Sequence, residues 1–354
     1  MSQQPSRSLR MDDFDYALPQ ELIAQEPLPD RAASRLMVLD RRTGTVDHRM
    51  FRDLPQLLSA GDLLVVNDSR VIPARLLGRR ESGGHVEVLL LHPEPDGGWR
   101  ALARPLRRLR EGERVIVPAR EGQAAPDASL VVRQKVDDGQ AIVELDDRLA
   151  QHLDTYGRVP LPPYISQQLD DDERYQTVFA RQQGSAAAPT AGLHFTEEIL
   201  DEIRARGVEI AEVTLHVGLD TFRPVTETFA EEHKMHSEWC SVPPETWDKI
   251  EETRRRQGRV VAVGTTAART LETLGQRVEA GQPGPFAGAT DIYITPGYRW
   301  RMVDALITNF HLPRSTLLLM ISAFAGREYV LAAYEEAVRK RYRFFSFGDA
   351  MFIR

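Results

Sequence analysis

The chain of 354 residues is long enough for two domains of roughly 100–200 residues each. Hydrophobic residues make up 42% and charged residues 27%, as in ordinary globular proteins, and the formal net charge of -7 excludes a uniformly basic nucleic-acid-binding protein. A single cysteine, Cys240, excludes an intramolecular disulfide and a protein-held iron–sulfur cluster, which normally needs several thiolates.

Short elements fill the first 70 residues. A proline at the first helical position predicts a helix over Pro19–Gln25. Leu36–Asp40 and Thr45–Phe51 flank an Arg-Arg-Thr-Gly turn and predict a β-hairpin. A short helix over Leu54–Ser59 then leads into an apolar strand over Leu63–Asn67, so helices and strands mix in this part of the chain.

Residues 71–149 show a different pattern of predicted elements, because strand-like runs recur between Gly-rich turns and no predicted helix interrupts them. The runs are Val71–Leu77, His85–His92, Trp99–Arg104, Arg114–Pro118, Leu130–Val136 and Ala141–Leu145. Short strands at regular spacing favour a small barrel or sandwich. We therefore expect a β domain at 71–149, inserted into an α/β domain formed by residues 1–70 and 150–354.

Strands and helices alternate again after residue 150, which predicts a sheet covered by helices. A helix is expected between its cap at Thr196 and Gly207. The other predicted elements are Val208–His216, Pro244–Gln257, Arg259–Val263, a helix from Gly264 through Leu274, Ile292–Thr295, Ala305–Thr308, Ser315–Ala325 and Glu328–Arg341.

The N-terminal sequence lacks the apolar stretch of a secretory signal. The most apolar late segment, Thr316–Ala325, is much shorter than the ~20 residues needed to span a bilayer. We therefore expect a cytoplasmic protein with no membrane partner.

Standard nucleotide and hydrolase motifs are missing: the sequence has no G-x-x-x-x-G-K-[ST], G-x-G-x-x-G, G-x-S-x-G or H-E-x-x-H. A different feature follows the strand that ends at Val263, where Gly264, Thr265 and Thr266 begin a helix. Amides and hydroxyls at such a helix start can hold a carboxylate or phosphate. The alternative is an ordinary tight turn with a helix cap.

Polar side chains also cluster in loops that follow other predicted strands or precede helices. Their candidate residues are Asn67, Asp68, Ser69, Arg70, Thr190, Gly192, His194, His216, Asp220, Arg223, Asn309, His311 and Arg314. Ligands of α/β sheets bind outside the carboxyl ends of strands, where such loops can converge. Each loop alone fits an ordinary cap or turn, but their recurrence favours a site.

Two further patterns leave other functions open. His233 and His236 are three residues apart, suit one helix face, and with His216 or His194 could ligate zinc in a metal-dependent hydrolase or lyase. The more ordinary interpretation gives them hydrogen-bonding or acid–base roles.

The second pattern is a run of arginines in the β insert: Arg100, Arg104, Arg107, Arg108, Arg110 and Arg114. It fits either RNA phosphate contact or a solvated face. A non-catalytic RNA-binding protein is therefore another possibility.

Taken together, these segments resemble the S-adenosylmethionine:tRNA ribosyltransferase-isomerase family of queuosine biosynthesis. One matching segment is Gly-Asp-Leu-Leu-Val-Val-Asn-Asp-Ser-Arg at 61–70. The full set comprises residues 14–25, 61–75, 157–165, 173–179, 188–196, 215–225, 233–236, 263–266, 308–317 and 344–352. The resemblance covers nearly the whole chain from Met11 onward.

The resemblance implies an α/β domain with an inserted β-barrel. It also implies that the ribosyl moiety of S-adenosylmethionine is transferred to 7-aminomethyl-7-deazaguanine at the tRNA wobble position. Isomerisation then gives epoxyqueuosine, and adenine and methionine leave. S-adenosylmethionine is consumed as a substrate, so no cofactor is expected, and the partner is tRNA with a GUN-type anticodon. We expect a monomer and no metal.

Such chemistry needs a base to remove a proton next to the sulfonium and a donor to protonate adenine. Candidate bases are His194, His216, Asp220 and His311, and Asp68 or another of these residues is the candidate donor. The amides around Gly264, with Thr265 and Thr266, suit the methionine carboxylate. Arg70, Arg223 and Arg314 suit carboxylate or phosphate. Phe195, Phe222 or Phe310 could stack on the wobble base, although a core position suits each equally well.

Overall fold

Apolar runs rich in Val, Leu and Ile form the central strands, because such side chains pack well on both faces of a covered sheet. The computed structural model describes residues 8–136, 139–167, 169–218 and 225–354. They fall into two units. The α/β unit lies within Met1–Ser69, Pro163–Gln182 and Pro189–Arg354, and the barrel unit within Arg70–Pro162 and Gln183–Ala188.

The strands, in chain order, are β1 (Arg35–Asp40), β2 (Thr45–Met50), β3 (Leu63–Asn67), β4 (Ser69–Val71), β5 (Arg75–Arg80), β6 (His85–Pro93), β7 (Trp99–Arg104), β8 (Arg114–Val117), β9 (Ala128–Lys135), β10 (Gln140–Leu145), β11 (Gly157–Arg158), β12 (Gln182–Ser185), β13 (Glu209–Leu215), β14 (Glu238–Val242), β15 (Val260–Val263), β16 (Phe286–Thr290), β17 (Ala305–Asn309) and β18 (Ala350–Ile353).

The α-helices are α1 (Leu54–Leu57), α2 (Asp147–Gln151), α3 (Leu153–Tyr156), α4 (Glu197–Ala205), α5 (Pro244–Arg255), α6 (Gly264–Glu279), α7 (Thr316–Ala325) and α8 (Arg327–Arg339). Hydroxyl caps start two of them. The Thr196 side chain accepts from the Ile199 amide at 3.3 Å, and Ser315 accepts from the Leu318 amide at 3.2 Å.

The main sheet of the α/β unit has the order β16-β14-β13-β3-β15-β17-β18-β1-β2 among the described residues. Its centre is parallel, since β13, β3, β15 and β17 run in one direction. Alternate residues of β3 enter different cores: Leu63 and Val65 pack on one face, and Leu64 and Val66 on the other. Helices cover both faces, as a parallel sheet requires.

The strand that follows β3 through a helix lies on one side of the sheet centre, and the strand that follows β15 through a helix lies on the other side. From β3 the chain reaches β13 through α4, and from β15 it reaches β17 through α6. The two helices lie on opposite faces, because Ile203 of α4 and Leu271 of α6 belong to different cores. This reversal is a topological switch point, where open α/β sheets bind ligands. The carboxyl ends of β3, β13, β15 and β17 are called the switch edge below.

The barrel unit closes through the order β5-β6-β7-β10-β9-β8, because β8 also pairs with β5. Leu76, Val88, Ala101, Val115 and Leu130 are among the side chains that fill its interior. An α/β protein that carries a small closed β-barrel confirms the predicted fold class.

Three local predictions differ from the structure. Pro19–Gln25 forms only a 3-10 turn over Gln20–Leu22, because the Ala24 amide donates to the carbonyl of Phe344 at 3.1 Å. Ile292–Thr295 is not a strand, and the neighbouring Phe286–Thr290 pairs with β14 instead. The predicted strand at Val71–Leu77 is split into β4 and β5 around Pro73, which has no amide proton to donate.

Within the described part of the chain, no single helix is long and apolar enough to cross a membrane. Helices α7 and α8 meet the length and composition requirement only as a pair, and they are bent by 115°.

Candidate active site at the switch edge

Asn67, the last residue of β3, ties together the central part of the switch edge. Its amide nitrogen donates to the carbonyl of Leu215 and to Oγ1 of Thr266, both at 3.1 Å. Its amide oxygen accepts from the backbone of Leu215 at 3.0 Å and of Ser69 at 3.1 Å. A buried Asn with both donors and both lone pairs engaged fixes the relative positions of β3, β13 and the start of α6.

The turn from β15 into α6 depends on Gly264, which has a φ of +88°. This left-handed conformation favours glycine because a side chain would be strained there. Thr265 is buried and Thr266 is half-buried, so their hydroxyls and the helix-start amides share one small region. The positive end of the α6 dipole favours an anionic group at this point.

Asp68 and His216 follow neighbouring strands, β3 and β13, and each affects the electrostatics of the other. Oδ1 of Asp68 accepts from Oγ1 of Thr214 at 2.7 Å. Burial raises the pKa of Asp68 above its usual value, and the hydrogen bond from Thr214 opposes that shift. Burial lowers the pKa of the His216 imidazole, while the Asp68 charge acts in the opposite direction. Each group therefore lies within electrostatic reach of the other.

His216 is half-buried and has unused hydrogen-bonding capacity. Its Nδ1 is buried with no hydrogen-bond partner in the described chain, and the same holds for Oγ of Ser69. The imidazole stacks on Trp239, with ring centroids 5.2 Å apart and planes inclined by 18°. Buried polar atoms without partners also occur elsewhere in the described chain, for example in Tyr293 and Ser322, and a ligand, a bound water or a reaction can each account for one.

Glu238 is hydrogen-bonded to the segment that follows His216. Its Oε1 accepts from the backbone amide of Gly218 at 2.9 Å, and its other oxygen is paired with Arg269 of α6. Both side chains are buried. The interaction was not predicted, because a Glu in the sequence Glu-Trp-Cys-Ser-Val gives no sign that it is buried or that it meets an arginine 31 positions later.

His194 lies in a different environment, in a 3-10 turn over Thr190–His194. Oγ1 of Thr190 donates to Oδ1 of Asn309 at 2.9 Å, and Nδ2 of Asn309 donates to Nε2 of His194 at 3.2 Å and to the carbonyl of Phe345 at 3.1 Å. Because that carbonyl can only accept, the orientation of the amide is fixed.

The Nδ1–H of His194 must consequently donate to Oγ of Ser34, which lies 3.0 Å away. Both ring nitrogens are therefore occupied. Burial, reinforced by Arg31 and Arg343, lowers the pKa of His194 to about 3. The geometry describes a neutral imidazole that connects loops.

The remaining candidates each have their own surroundings, and His311 follows the end of β17 at the switch edge. His311 is buried, its Nε2 is hydrogen-bonded to Oγ1 of Thr308 at 2.7 Å, and burial lowers its pKa to about 3. Arg314 has a φ of +55° and faces Asp12 at 3.5 Å. Gly192 permits close packing, since a Cβ there would lie 2.6 Å from Phe179. Arg70 belongs to β4 and the barrel unit.

The proposed stacking role is wrong for two of the three phenylalanines. Phe195 and Phe310 have no exposed surface. Phe195 packs edge-on against Phe51, and Phe310 lies 5.0 Å from Phe344 between ring centroids. Phe222, together with Asp220 and Arg223, lies outside the described residues.

The histidine pair suggested for zinc does not share a helix. The 3-10 turn Ala230–Glu232 ends before His233, and Nδ1 of His233 is 3.2 Å from Oε1 of Glu227. Over the residues that the structure describes, no group of three or more His, Cys, Asp or Glu side chains could hold a metal ion.

Arginines of the barrel unit fall into two classes. Arg75, Arg79, Arg80, Arg100 and Arg133 make ion pairs with carboxylates of the same unit. Within the arginine run of the sequence, exposed members that make no such pair in the described chain include Arg104, Arg107, Arg108 and Arg114. Arg107 and Arg108 belong to the short 3-10 turn Leu106–Arg108, whereas Arg104 ends β7 and Arg114 begins β8.

Comparison with known proteins agrees with the resemblance found in the sequence. Residues 11–353 match the family described as "Queuosine biosynthesis protein". The chain is 53% identical to the S-adenosylmethionine:tRNA ribosyltransferase-isomerase of Acetivibrio thermocellus and 50% identical to that of Thermotoga maritima, and each alignment covers 98% of this chain and 100% of the relative. The crystal structure of S-adenosylmethionine tRNA ribosyltransferase from Thermotoga maritima matches with a TM-score of 0.56 and 40% identity, over 97% of this chain and 100% of that chain.

Proposed function

The chain belongs to the S-adenosylmethionine:tRNA ribosyltransferase-isomerase family of queuosine biosynthesis, and we propose that it transfers and isomerises the ribosyl moiety of S-adenosylmethionine on tRNA. The acceptor is the aminomethyl nitrogen of 7-aminomethyl-7-deazaguanine at the wobble position of a tRNA with a GUN-type anticodon. The product is epoxyqueuosine-tRNA, and adenine and methionine are released. S-adenosylmethionine is consumed, so the proposal includes no further cofactor.

The observation that carries the proposed mechanism is the half-buried imidazole of His216, whose pKa is lowered by burial and raised by the charge of Asp68. Removal of a proton next to the sulfonium requires an unprotonated base that can reach the substrate. Burial keeps His216 unprotonated to a lower pH than an ordinary histidine, and the half-buried ring keeps part of its surface exposed, although its Nδ1 is buried. His216 is therefore the proposed base, in preference to His194, whose nitrogens are both engaged.

Asp68 is the proposed donor to the departing adenine. Its raised pKa favours the protonated form more than in an exposed aspartate, which suits a group that must deliver a proton. The amide-rich start of α6 at Gly264, with Thr265 and Thr266, is the proposed seat of the methionine carboxylate. Asn67 holds these groups in register through its bonds to Leu215 and Thr266.

For tRNA, we propose that the unpaired arginines around Leu106–Arg108 contact backbone phosphates. Arginine forks suit phosphate oxygens, and these guanidinium groups are not neutralised by carboxylates in the described chain.

The proposal is tested by mass spectrometry on the purified protein without added metal. Its substrates are S-adenosylmethionine and tRNA that carries 7-aminomethyl-7-deazaguanine at the wobble position. We expect free adenine, free methionine and the added ribosyl-derived mass on the tRNA. Tight tRNA binding without any of these products would contradict the proposed reaction and favour an RNA-binding protein instead.

A further inference from the structure

Trp239 differs from the other tryptophans in its exposure. All four lie in the described chain, and Trp99, Trp247 and Trp300 are half-buried whereas Trp239 is 46% exposed. A single exposed apolar side chain is common on protein surfaces and proves nothing by itself. What distinguishes Trp239 is its place in the fold, next to a group of the switch edge.

The alternation of β14 sets the direction of this indole. Glu238 and Cys240 are buried and Trp239 between them is exposed, so Trp239 lies on the opposite face of the strand. Its backbone carbonyl accepts from the amide of His216 at 3.0 Å. The neighbouring residue Glu238 makes two contacts. Its ion pair with Arg269 joins β14 to α6, and its hydrogen bond from the Gly218 amide joins β14 to the segment that follows His216.

One face of the indole is already part of an aromatic stack. The His216 ring lies nearly parallel to it, with centroids 5.2 Å apart and an inclination of 18°. The exposed remainder of the indole is therefore a flat, rigid surface beside the proposed base. Planar bases stack on such surfaces without regard to sequence, because every base has an aromatic face.

We propose that Trp239 is the platform on which the purine-type ring of a substrate stacks at the switch edge. The inference rests on the proposed function, whose two substrates each carry one such ring: the adenine of S-adenosylmethionine and the 7-deazaguanine of the tRNA. Either ring would extend the His216–Trp239 stack. The alternative aromatic candidates in the described chain, Phe195 and Phe310, are buried and offer no free face.

The test measures binding of two probes, S-adenosylmethionine alone and free 7-aminomethyl-7-deazaguanine, by equilibrium dialysis and by tryptophan fluorescence. In Trp239→Leu, we expect the dissociation constant of one probe to rise about 5- to 150-fold, the range for loss of one aromatic–base stack. Trp239→Phe keeps an aromatic face, so binding should stay within about threefold while the fluorescence response disappears. The probe that is affected identifies which ring occupies the platform.

Trp247→Phe is the matched control, because it removes a half-buried indole of α5 that packs against the core. It should retain both binding and the fluorescence response. The proposal is overturned if Trp239→Leu binds both probes as tightly as the unaltered protein, or if the unaltered protein binds neither probe.

Product formation by the unaltered protein is measured in parallel, so that two failures can be told apart. Products together with unchanged probe binding in Trp239→Leu would reject the platform and leave the reaction standing. Probe binding that depends on Trp239, without products, would support the platform and reject the reaction.

Discussion

Two histidines near the switch edge follow leucines in similar loops, yet their surroundings differ. His194 is saturated: Asn309 donates to one ring nitrogen and Ser34 accepts from the other. His216 has a ring nitrogen without a partner in the described chain, a nearby carboxylate and an indole against its face. A polar group whose hydrogen bonds are all made within the protein fixes geometry, whereas a half-buried ring that lacks such bonds can interact with a substrate. Residue type alone does not separate these roles.

The strongest test of this difference is to remove the imidazole of His216. His216→Ala should lower turnover by about 10²- to 10⁴-fold, the usual contribution of a general base. The free energy of unfolding should change by less than about 1 kcal/mol, because the deleted ring makes few buried bonds. Adenine release and urea unfolding measure the two effects. Near-normal turnover would remove His216 as the base.

The next largest effect should come from Glu238, which is hydrogen-bonded to the segment after His216. Glu238→Gln removes one partner of a buried ion pair, which costs about 3–5 kcal/mol of folding free energy. Glu279→Gln is the matched control, because its ion pair with Arg301 leaves the glutamate 48% exposed, and such pairs contribute about 0–1 kcal/mol. If urea unfolding showed that the two variants lose the same free energy of unfolding, a structural role for Glu238 would be contradicted.

Removal of the network around His194 should act mainly on stability. Asn309→Ala leaves the Thr190 hydroxyl and Nε2 of His194 without their partner, at a cost of about 1–3 kcal/mol for an unsatisfied buried group. Turnover per folded molecule should remain within about threefold, since no reacting group is removed. Thr43→Ala, which breaks an exposed hydroxyl pair, is the control. A large fall in turnover without loss of stability would place Asn309 in direct contact with substrate.

Charge reversal in the barrel unit should have a smaller, salt-dependent effect. Arg107→Glu with Arg108→Glu should weaken tRNA binding and lower the slope of log affinity against log salt by about 0.7–0.9 for each phosphate that the variant no longer neutralises. Arg254→Glu with Arg255→Glu changes the charge equally on α5 and should bind tRNA nearly as the unaltered protein does. A salt titration with the same slope for the barrel variant and the unaltered protein would exclude binding of phosphates by these arginines.

The smallest expected effect is a change in the pKa of His216 when the charge of Asp68 is removed. The negative charge of Asp68 favours the imidazolium of His216 and so raises its pKa against the effect of burial. Asp68→Asn should therefore lower the pKa of His216 further, which an NMR titration of the histidine ring detects. His194 should not move, because its pKa is set by burial and by Arg31 and Arg343. A rise in the pKa of His216 in this variant would contradict the electrostatic effect of Asp68 on the ring.

Much of this arrangement could be predicted from local sequence. Polar residues directly after apolar strands located Asn67, His216, Gly264 and Asn309 at strand ends, and strand ends of a parallel sheet share one edge. The resemblance to the family was confirmed, as was the fold class. The roles of the individual residues at the edge stay predictions.

Other features depend on contacts between distant segments. Strand β14 was missed because Glu-Trp-Cys-Ser-Val mixes a charge with apolar residues, and its burial is explained only by Arg269 on α6. The strand β18 at the end of the chain is defined by pairing with β1 and β17. The inert state of His194 also depends on Ser34, 160 residues away. Sequence periodicity carries no information on such pairings.

The most direct test of the contrast between the two histidines is chemical rescue under single-turnover conditions. Adenine, methionine and modified tRNA are measured by mass spectrometry for the unaltered protein, His216→Ala and His194→Ala, each with and without added imidazole. We predict that imidazole restores part of the missing rate in His216→Ala, and that His194→Ala slows only in proportion to its unfolded fraction and gains nothing with imidazole. Rescue of His194→Ala, with His216→Ala as fast as the unaltered protein, would contradict the account.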